Sequence, residues 1–426
     1  MDPQLLTSRT RRLGFRPNPE EGGSIQDAEL IVAGGRGLKK EENFRMIHDL
    51  AARFRAAVGA SRDLLARYPD EERLDAQGRV VMPGLVDPHT HLVWAGDRAA
   101  EFEARLQGRT YMEIMAAGGG INATVSATRA ALPEELYAQT RERALAMFRN
   151  GTTTAEAKTG YGLEWNAEIT QLEVLLRLDA EGPLEIAPTF MPAHTVPPEF
   201  KGRADDYTQV IVAEMLPALK DWWTNHHLSR QLPFIDVFCE NNAFDLAQTR
   251  SILTRAKELG FPLKAHVDEF ENLGGAALAV ELGAASIEHA VKTSPAELAA
   301  LGASDTVVVS LPCTPFGLAD PHYTPARGLL AAGGTLAIAT DLNPGTAWCE
   351  NMQFVIALAC RYLKLTPAQA VAAATINAAR AIQRDQLIGS LEPGKQADLL
   401  ILSVSDYRQL AYRFGGSLVE RVIKKG

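Results

Sequence analysis

Eight short apolar runs, separated by longer stretches of helical periodicity, organise the chain from residue 80 onward. They end near His91 and then cover 152–158, 186–194, 234–240, 263–266, 285–289, 307–311 and 336–341. A strand–helix unit repeated eight times predicts a (β/α)8 TIM barrel, an α/β fold. Amphipathic stretches such as 246–259 and 294–301 lie between the runs; the second opens on a Ser-Pro pair suited to a helix start. Polar residues close most runs: His89 and His91, Lys158, His194, Glu240, His266, His289 and Asp341. Barrel enzymes carry their catalytic groups at that end. After the barrel, Thr366-Pro367 opens a helix to about Ala381, and a strand over 397–403 follows a Gly-Ser-Leu-Glu-Pro-Gly-Lys turn, reading as a small β lobe.

The first run carries the densest chemistry. Val80 to Val86 reads as one buried strand leading into Asp87-Pro88-His89-Thr90-His91. Residues i and i+2 of an extended chain point to the same side, so His89 and His91 can converge. His266 and Asp341 complete a set of three imidazoles and a carboxylate. With one water, that set suits a Zn2+ or an iron ion, Fe2+ or Fe3+. A bridged two-metal site would use a carboxylated lysine on the fourth strand. Here that strand ends in Cys239-Glu240, and the strand-end lysine, Lys158, lies on the second, so one metal per chain is expected.

Around this set three of the candidates, Glu269, His289 and Arg98, have two readings. Glu269, three residues past His266, is a proton shuttle or a carboxylate on a loop surface. His289 hydrogen-bonds an activated water or a developing oxyanion, or is a satisfied core imidazole. His194 and Tyr161 reach substrate from loops. Arg98 clamps a carboxylate through its planar fork or forms a surface ion pair with Glu101 or Glu103. His48, His226, His227 and His322 fall outside the pattern and read as structural, and Met112 and Met115 read as packing residues.

Charge and composition narrow the partners. A net charge of −9 and a pI near 5.6 argue against nucleic acid or an anionic membrane surface. Cys239, Cys313, Cys349 and Cys360 have neither disulfide-framework nor zinc-knuckle spacing. With no run of about 18 apolar residues, a cytoplasmic protein acting on a small molecule is expected.

Asp87 through Arg98, Leu106-Gln107-Gly108 with Tyr111 to Ile114, and Lys158 through Leu163 resemble the imidazolonepropionases of the amidohydrolase superfamily. Ala193 through Pro198, His266 through Glu269 and Thr340 through Thr346 continue the likeness, which spans about 66–426. The resemblance implies an amidohydrolase-type barrel (83–381) and a β-sandwich-like lobe (66–82 and 382–426). It implies metal ligands His89, His91, His266 and Asp341, and substrate contacts Arg98, Tyr161, His194, Glu269, Asn343, Gly345 and Thr346. Glu269, His289 and Asp341 would be catalytic. The implied reaction opens the ring of 4-imidazolone-5-propanoate to give N-formimino-L-glutamate, and a homodimer is the favoured assembly. The alternatives are another cyclic amidohydrolase or aminohydrolase, and a catalytically impaired fusion with flavin-binding character.

That last alternative comes from the front end. A strand over 28–33, the turn Gly34-Gly35-Arg36-Gly37, a helix from Glu42 to about Arg55 and Ser61-Arg62 resemble a segment of the electron-transfer flavoprotein alpha subunit over roughly 9–62. In that likeness Arg36, Ser61 and Arg62 stand near FAD. Residues 1–65 thus form an atypical N-terminal segment, and a lobe short of strands with exposed edges is expected.

Overall fold

The structure, a computed structural model, describes residues 74, 76–109, 113 and 119–426. The strand and helix expected before residue 56, Arg36, Ser61, Arg62, His48, Met112 and Met115 all lie outside the described residues.

The first apolar run is not one strand. It divides into β1 (Val80–Pro83) and β2 (Leu85–Asp87), which belong to different sheets. Gly84 is the pivot. Its N–H donates to the Asp398 carbonyl of the lobe at 2.9 Å, while Leu85 N–H already donates to Gly151 O at 3.0 Å. A Cβ at Gly84 would sit 2.3 Å from Thr153 Oγ1, so only glycine lets the chain pass this close to the next strand.

The barrel strands are β2, β3 (Thr152–Lys158), β4 (Glu185–Ala193), β5 (Phe234–Cys239), β6 (Lys264–Val267), β7 (Ser286–His289), β8 (Val307–Ser310) and β9 (Leu336–Ile338). They pair in sequence order, every neighbour parallel. Helices return the chain between strands, several opened by capping boxes: Asp245 with Gln248, Ser294 with Glu297 and Thr366 with Gln369. The ring meets itself at the strand C-termini. Asp341 N–H donates to His89 O at 3.2 Å and His91 N–H to Leu342 O at 2.9 Å. These bonds bring two histidines and an aspartate, 250 residues apart in sequence, onto adjacent backbone.

The helix expected from Thr366 to Ala381 is two helices, Pro367–Ala373 and Ile376–Ala381. The Ala374 carbonyl accepts from Val86 N–H at 2.9 Å, so this acceptor serves the barrel rather than the next helical turn. The second helix, with Ile382 and Ile388, packs under Val86, Ala187, Phe234, Val307 and Ala337 and closes the barrel floor.

Strands β10 (Leu399–Leu402) and β11 (Val419–Ile423) pair antiparallel with β1, in the order β1-β10-β11, as a sheet separate from the barrel. Glu185, at the start of β4, ties this lobe down: it pairs with Lys424 at 3.0 Å and Arg384 at 2.9 Å.

Candidate metal and substrate site

Three imidazoles and a carboxylate meet where the ring closes. His89 Nε2 and His91 Nε2 stand 3.4 and 3.8 Å from Asp341 Oδ1. His266 Nε2 lies 3.3 Å from His91 Nε2. Potential ligand atoms of His89, His91 and Asp341 all fall within 4.8 Å of one another, as do those of His89, His266 and His289. Buried polar atoms normally find partners. Yet neither ring nitrogen of His89 has one, nor does His91 Nδ1.

The electrostatics agree with that donor set. Burial holds His89, His91 and His266 far below their ordinary range, aided by Lys158 at His89 and His266 and by His194 at His91. Neutral imidazole is the form that ligates a metal. Burial also lifts the Asp341 carboxyl to about 7, against hydrogen bonds from Thr314 and Asn343. A divalent cation would answer both costs, so the residues present fit one.

Local backbone aims these groups. Asp341 (φ 53°), His289 (φ 68°) and Asp268 (φ 57°) adopt left-handed conformations at strand ends. His289 and Asp341 line the cavity and Asp268 precedes its wall residue Glu269, so backbone strain gathers where function would hold it.

A cavity of about 490 Å3 opens on this cluster, with His91, His266, His289, Glu269 and Asp341 in its wall. Glu269 is no surface carboxylate: its side chain is 12% exposed and 3.5 Å from His289 Nε2. Burial raises it well above the ordinary carboxylate value, with Asp341 and Glu240 adding to the shift. His289 faces the cavity, not the core, and burial lowers it to about 3. His194 stacks on His91 with ring centroids 4.5 Å apart, and its Nδ1 lies 3.0 Å from Gly160 O. Tyr161 stands beside both rings, and Glu168 shapes its loop by accepting the N–H groups of Gly160, Gly162 and Leu163.

Arg98, Asn343, Gly345 and Thr346 line the same cavity. Arg98 faces the cavity and is ion-paired with Glu101, a pair largely shielded from solvent. The Asn343 side chain is spent on its own loop, accepting Gly345 N–H at 2.8 Å and Thr346 N–H at 2.9 Å and donating to Asp341 O at 2.7 Å. Gly345 lies against the Arg98 guanidinium, since a Cβ there would fall 2.3 Å from Arg98 Nη1 and displace it.

Comparison with known proteins decides the family. The imidazolonepropionase of Herpetosiphon aurantiacus is 51% identical over 370 residues, covering 87% of this chain and 86% of that protein. That of Chloroflexus aggregans is 50% identical over 413 residues, covering 94% and 97%. The chain belongs to the imidazolonepropionase family. The model described as "Amidohydrolase family" matches residues 238–426. A 5-methylcytosine deaminase structure from Klebsiella pneumoniae shares the fold, with a TM-score of 0.64 at 18% identity, covering 84% of this chain and 87% of that one. The model for the electron transfer flavoprotein FAD-binding domain matches residues 24–86. That match runs past the expected limit of 62, into β1 and β2. Likewise, the family alignment over 413 residues is too long to be confined to 66–426.

Four features escaped sequence reasoning. Asp236, mid-strand in β5, places Oδ1 3.0 Å from His266 Nδ1 and accepts from Lys158 Nζ through Oδ2 at 2.8 Å. Lys158, fully buried, also pairs with Glu156 at 2.7 Å. The two carboxylates outweigh burial and push Lys158 above its ordinary range, and both contact its Nζ directly. Glu240 accepts the N–H groups of Phe270 (2.9 Å) and Glu271 (3.2 Å), fixing the loop that carries Glu269. Thr314 bonds Asp341 Oδ2. The available signal was a charged residue interrupting an apolar strand, as in Phe234-Ile235-Asp236-Val237. His226, His227 and His322 lie outside the cavity, as expected.

Proposed function

We propose that the chain hydrolyses the ring amide C–N bond of 4-imidazolone-5-propanoate to N-formimino-L-glutamate, a step of histidine degradation. The observation that carries this reading is the meeting of His89, His91 and Asp341, with His266 beside them, at one cavity whose wall includes His91, His266, Asp341, Arg98, Tyr161 and Glu269. The four would hold one Zn2+ or iron ion. When bound, that cation supplies Lewis acidity at the ring carbonyl and increases the acidity of water.

The remaining chemistry belongs to side chains. Glu269 takes a proton from the attacking water and returns it to the departing ring nitrogen. Its raised proton affinity suits a carboxyl that must do both. The water oxygen bonds to the carbonyl carbon, which becomes the new carboxylate as the C–N bond breaks and the ring nitrogen departs with the proton from Glu269. His289, kept neutral by burial, offers an N–H to the oxyanion in the tautomer protonated at Nε2. Tyr161 and His194 orient the ring, the Asn343–Thr346 loop bounds it, and Arg98 holds the propanoate.

The deciding experiment is turnover of freshly prepared 4-imidazolone-5-propanoate, with metal content measured on the same sample. Activity at about one metal per chain, lost in His266→Ala, supports the reading. A metal-loaded protein that leaves this substrate untouched overturns the ring assignment. Another cyclic amidohydrolase activity would gain if Arg98→Ala left turnover of a different ring intact. The match at residues 24–86 favours one second reading, a flavin site on the N-terminal segment, which visible flavin absorbance of the purified protein would reveal. Among the described residues no helix is long and apolar enough to cross a membrane. We place the protein in the cytoplasm as a homodimer, the latter testable by light scattering.

A further inference from the structure

Two guanidinium groups line the cavity in different electrostatic states. Arg98 binds Glu101 through Nε, at 2.8 Å, and through Nη2. Glu101 also accepts the Gly120 N–H at 2.8 Å. Burial alone would raise the Glu101 carboxyl, but the Arg98 and Gly120 hydrogen bonds and the charges of Arg98 and Arg105 carry it below its ordinary value. Arg98 and Glu101 therefore form an ionised, doubly bonded unit without net charge. Nη1 is the nitrogen that Glu101 leaves, and it abuts Gly345.

Arg105, two turns further along the helix α1 (Ala99–Leu106), differs. Its Nη2 donates to the Gly345 carbonyl at 3.1 Å, and its buried Nε has no hydrogen-bond partner. Among the described residues it makes no ion pair, and it lines the cavity beside Arg98. A carboxylate that leaves water loses its hydration, and a neutral pair compensates less than a net cation does. Arg98 thus contributes geometry, and the unbalanced charge is that of Arg105.

We propose that Arg105 is a specificity-determining residue that supplies the net positive charge for the substrate's side-chain carboxylate. The proposal rests on the reading of the cavity as one for a ring bearing a propanoate. It also separates two roles: the Arg98 fork sets where the carboxylate sits, and Arg105 decides whether a neutral group is refused.

The test compares wild type, Arg105→Gln and Arg105→Lys, each at equal metal content, on 4-imidazolone-5-propanoate and on its uncharged propanamide. Calorimetric binding of the unreactive 3-(imidazol-4-yl)propanoate is measured in parallel. Arg105→Gln should raise KM for the acid roughly 30-fold, with a smaller effect on kcat and little change for the amide. The acid-over-amide preference should collapse, and Arg105→Lys should retain part of it. Adding Glu101→Gln to Arg105→Gln should recover some preference, because Arg98 then carries the net charge. An unchanged acid-to-amide ratio in Arg105→Gln overturns the proposal while leaving ring hydrolysis standing. If wild type hydrolyses neither compound, the reaction assignment falls and calorimetry decides: weaker binding in Arg105→Gln supports the charge role, and equal binding overturns it.

Discussion

Midway down the barrel two fully buried lysines are each met by carboxylates, whereas near the cavity neither ring nitrogen of the equally buried His89 makes a hydrogen bond. Lys158 pairs with Glu156 and Asp236, and Lys264 with Glu288 at 2.9 Å. Both lysines are wholly shielded from solvent. The imidazoles above them are held neutral and leave ring nitrogens unpartnered. Burying polar groups is costly in both places. In the lower layer the chain supplies its own compensation. In the upper layer compensation must arrive from outside, which marks that layer as the working one. Asp236 joins the two, with one oxygen on Lys158 and the other on His266.

The contrast is broken most strongly in the upper layer. Asp341→Asn or His266→Ala should lower turnover by roughly three orders of magnitude, equivalent to about 4 kcal/mol. Chelation should do the same to wild type, reversibly. Neither change should unfold the protein, because the carboxylate pairs of Lys158 and Lys264 stay intact. Urea titration alongside the assay separates the effects, and a His266→Ala chain that no longer folds would contradict the division.

In the lower layer the signs reverse. Lys158→Met strands Glu156 and Asp236 without their shared cation and should cost about 3–5 kcal/mol of stability, with or without metal. A fully stable but inactive Lys158→Met would move Lys158 from scaffold to chemistry. At the joint between layers, Asp236→Asn keeps an acceptor for His266 but loses the charge that orients it. Metal affinity, read by chelator competition, should fall 10- to 100-fold. Unchanged affinity would mean that His266 is oriented by its packing alone.

Short-range pattern revealed the upper layer better than the lower. The i, i+2 spacing of His89 and His91 and the polar ends of the runs follow from strand geometry, which is local. So does the Arg98–Glu101 pair, three residues apart. The division at Gly84 was not visible because it depends on Thr153 and Asp398. The break near Ala374 depends on a donor from Val86. Arg105 gains its place from Gly345, 240 residues away. Asp236 and Glu156 are inward only once strand parity and neighbours are known. A buried charge looks like a surface charge until its partner is placed.

The smallest effect lies nearest the solvent, where the lobe meets the barrel. Burial would raise Glu185, but Lys424, the Gln396 hydrogen bond and Arg384 outweigh it and hold the carboxyl at about 2. A carboxyl whose folded pKa is depressed stabilises fully above its ordinary value near 4.5, and that stability fades as pH falls toward about 2. Its side chain is 17% exposed, so solvent screening trims the contribution to roughly 2 kcal/mol. Glu185→Gln should therefore unfold at lower urea than wild type at pH 7, and the gap should shrink as the medium is acidified below the ordinary carboxylate range. A gap that stays constant with pH would show that Glu185 latches the lobe by shape and hydrogen bonding rather than by charge. The lobe joint would then differ in kind, not only in degree, from the paired lysines inside the barrel.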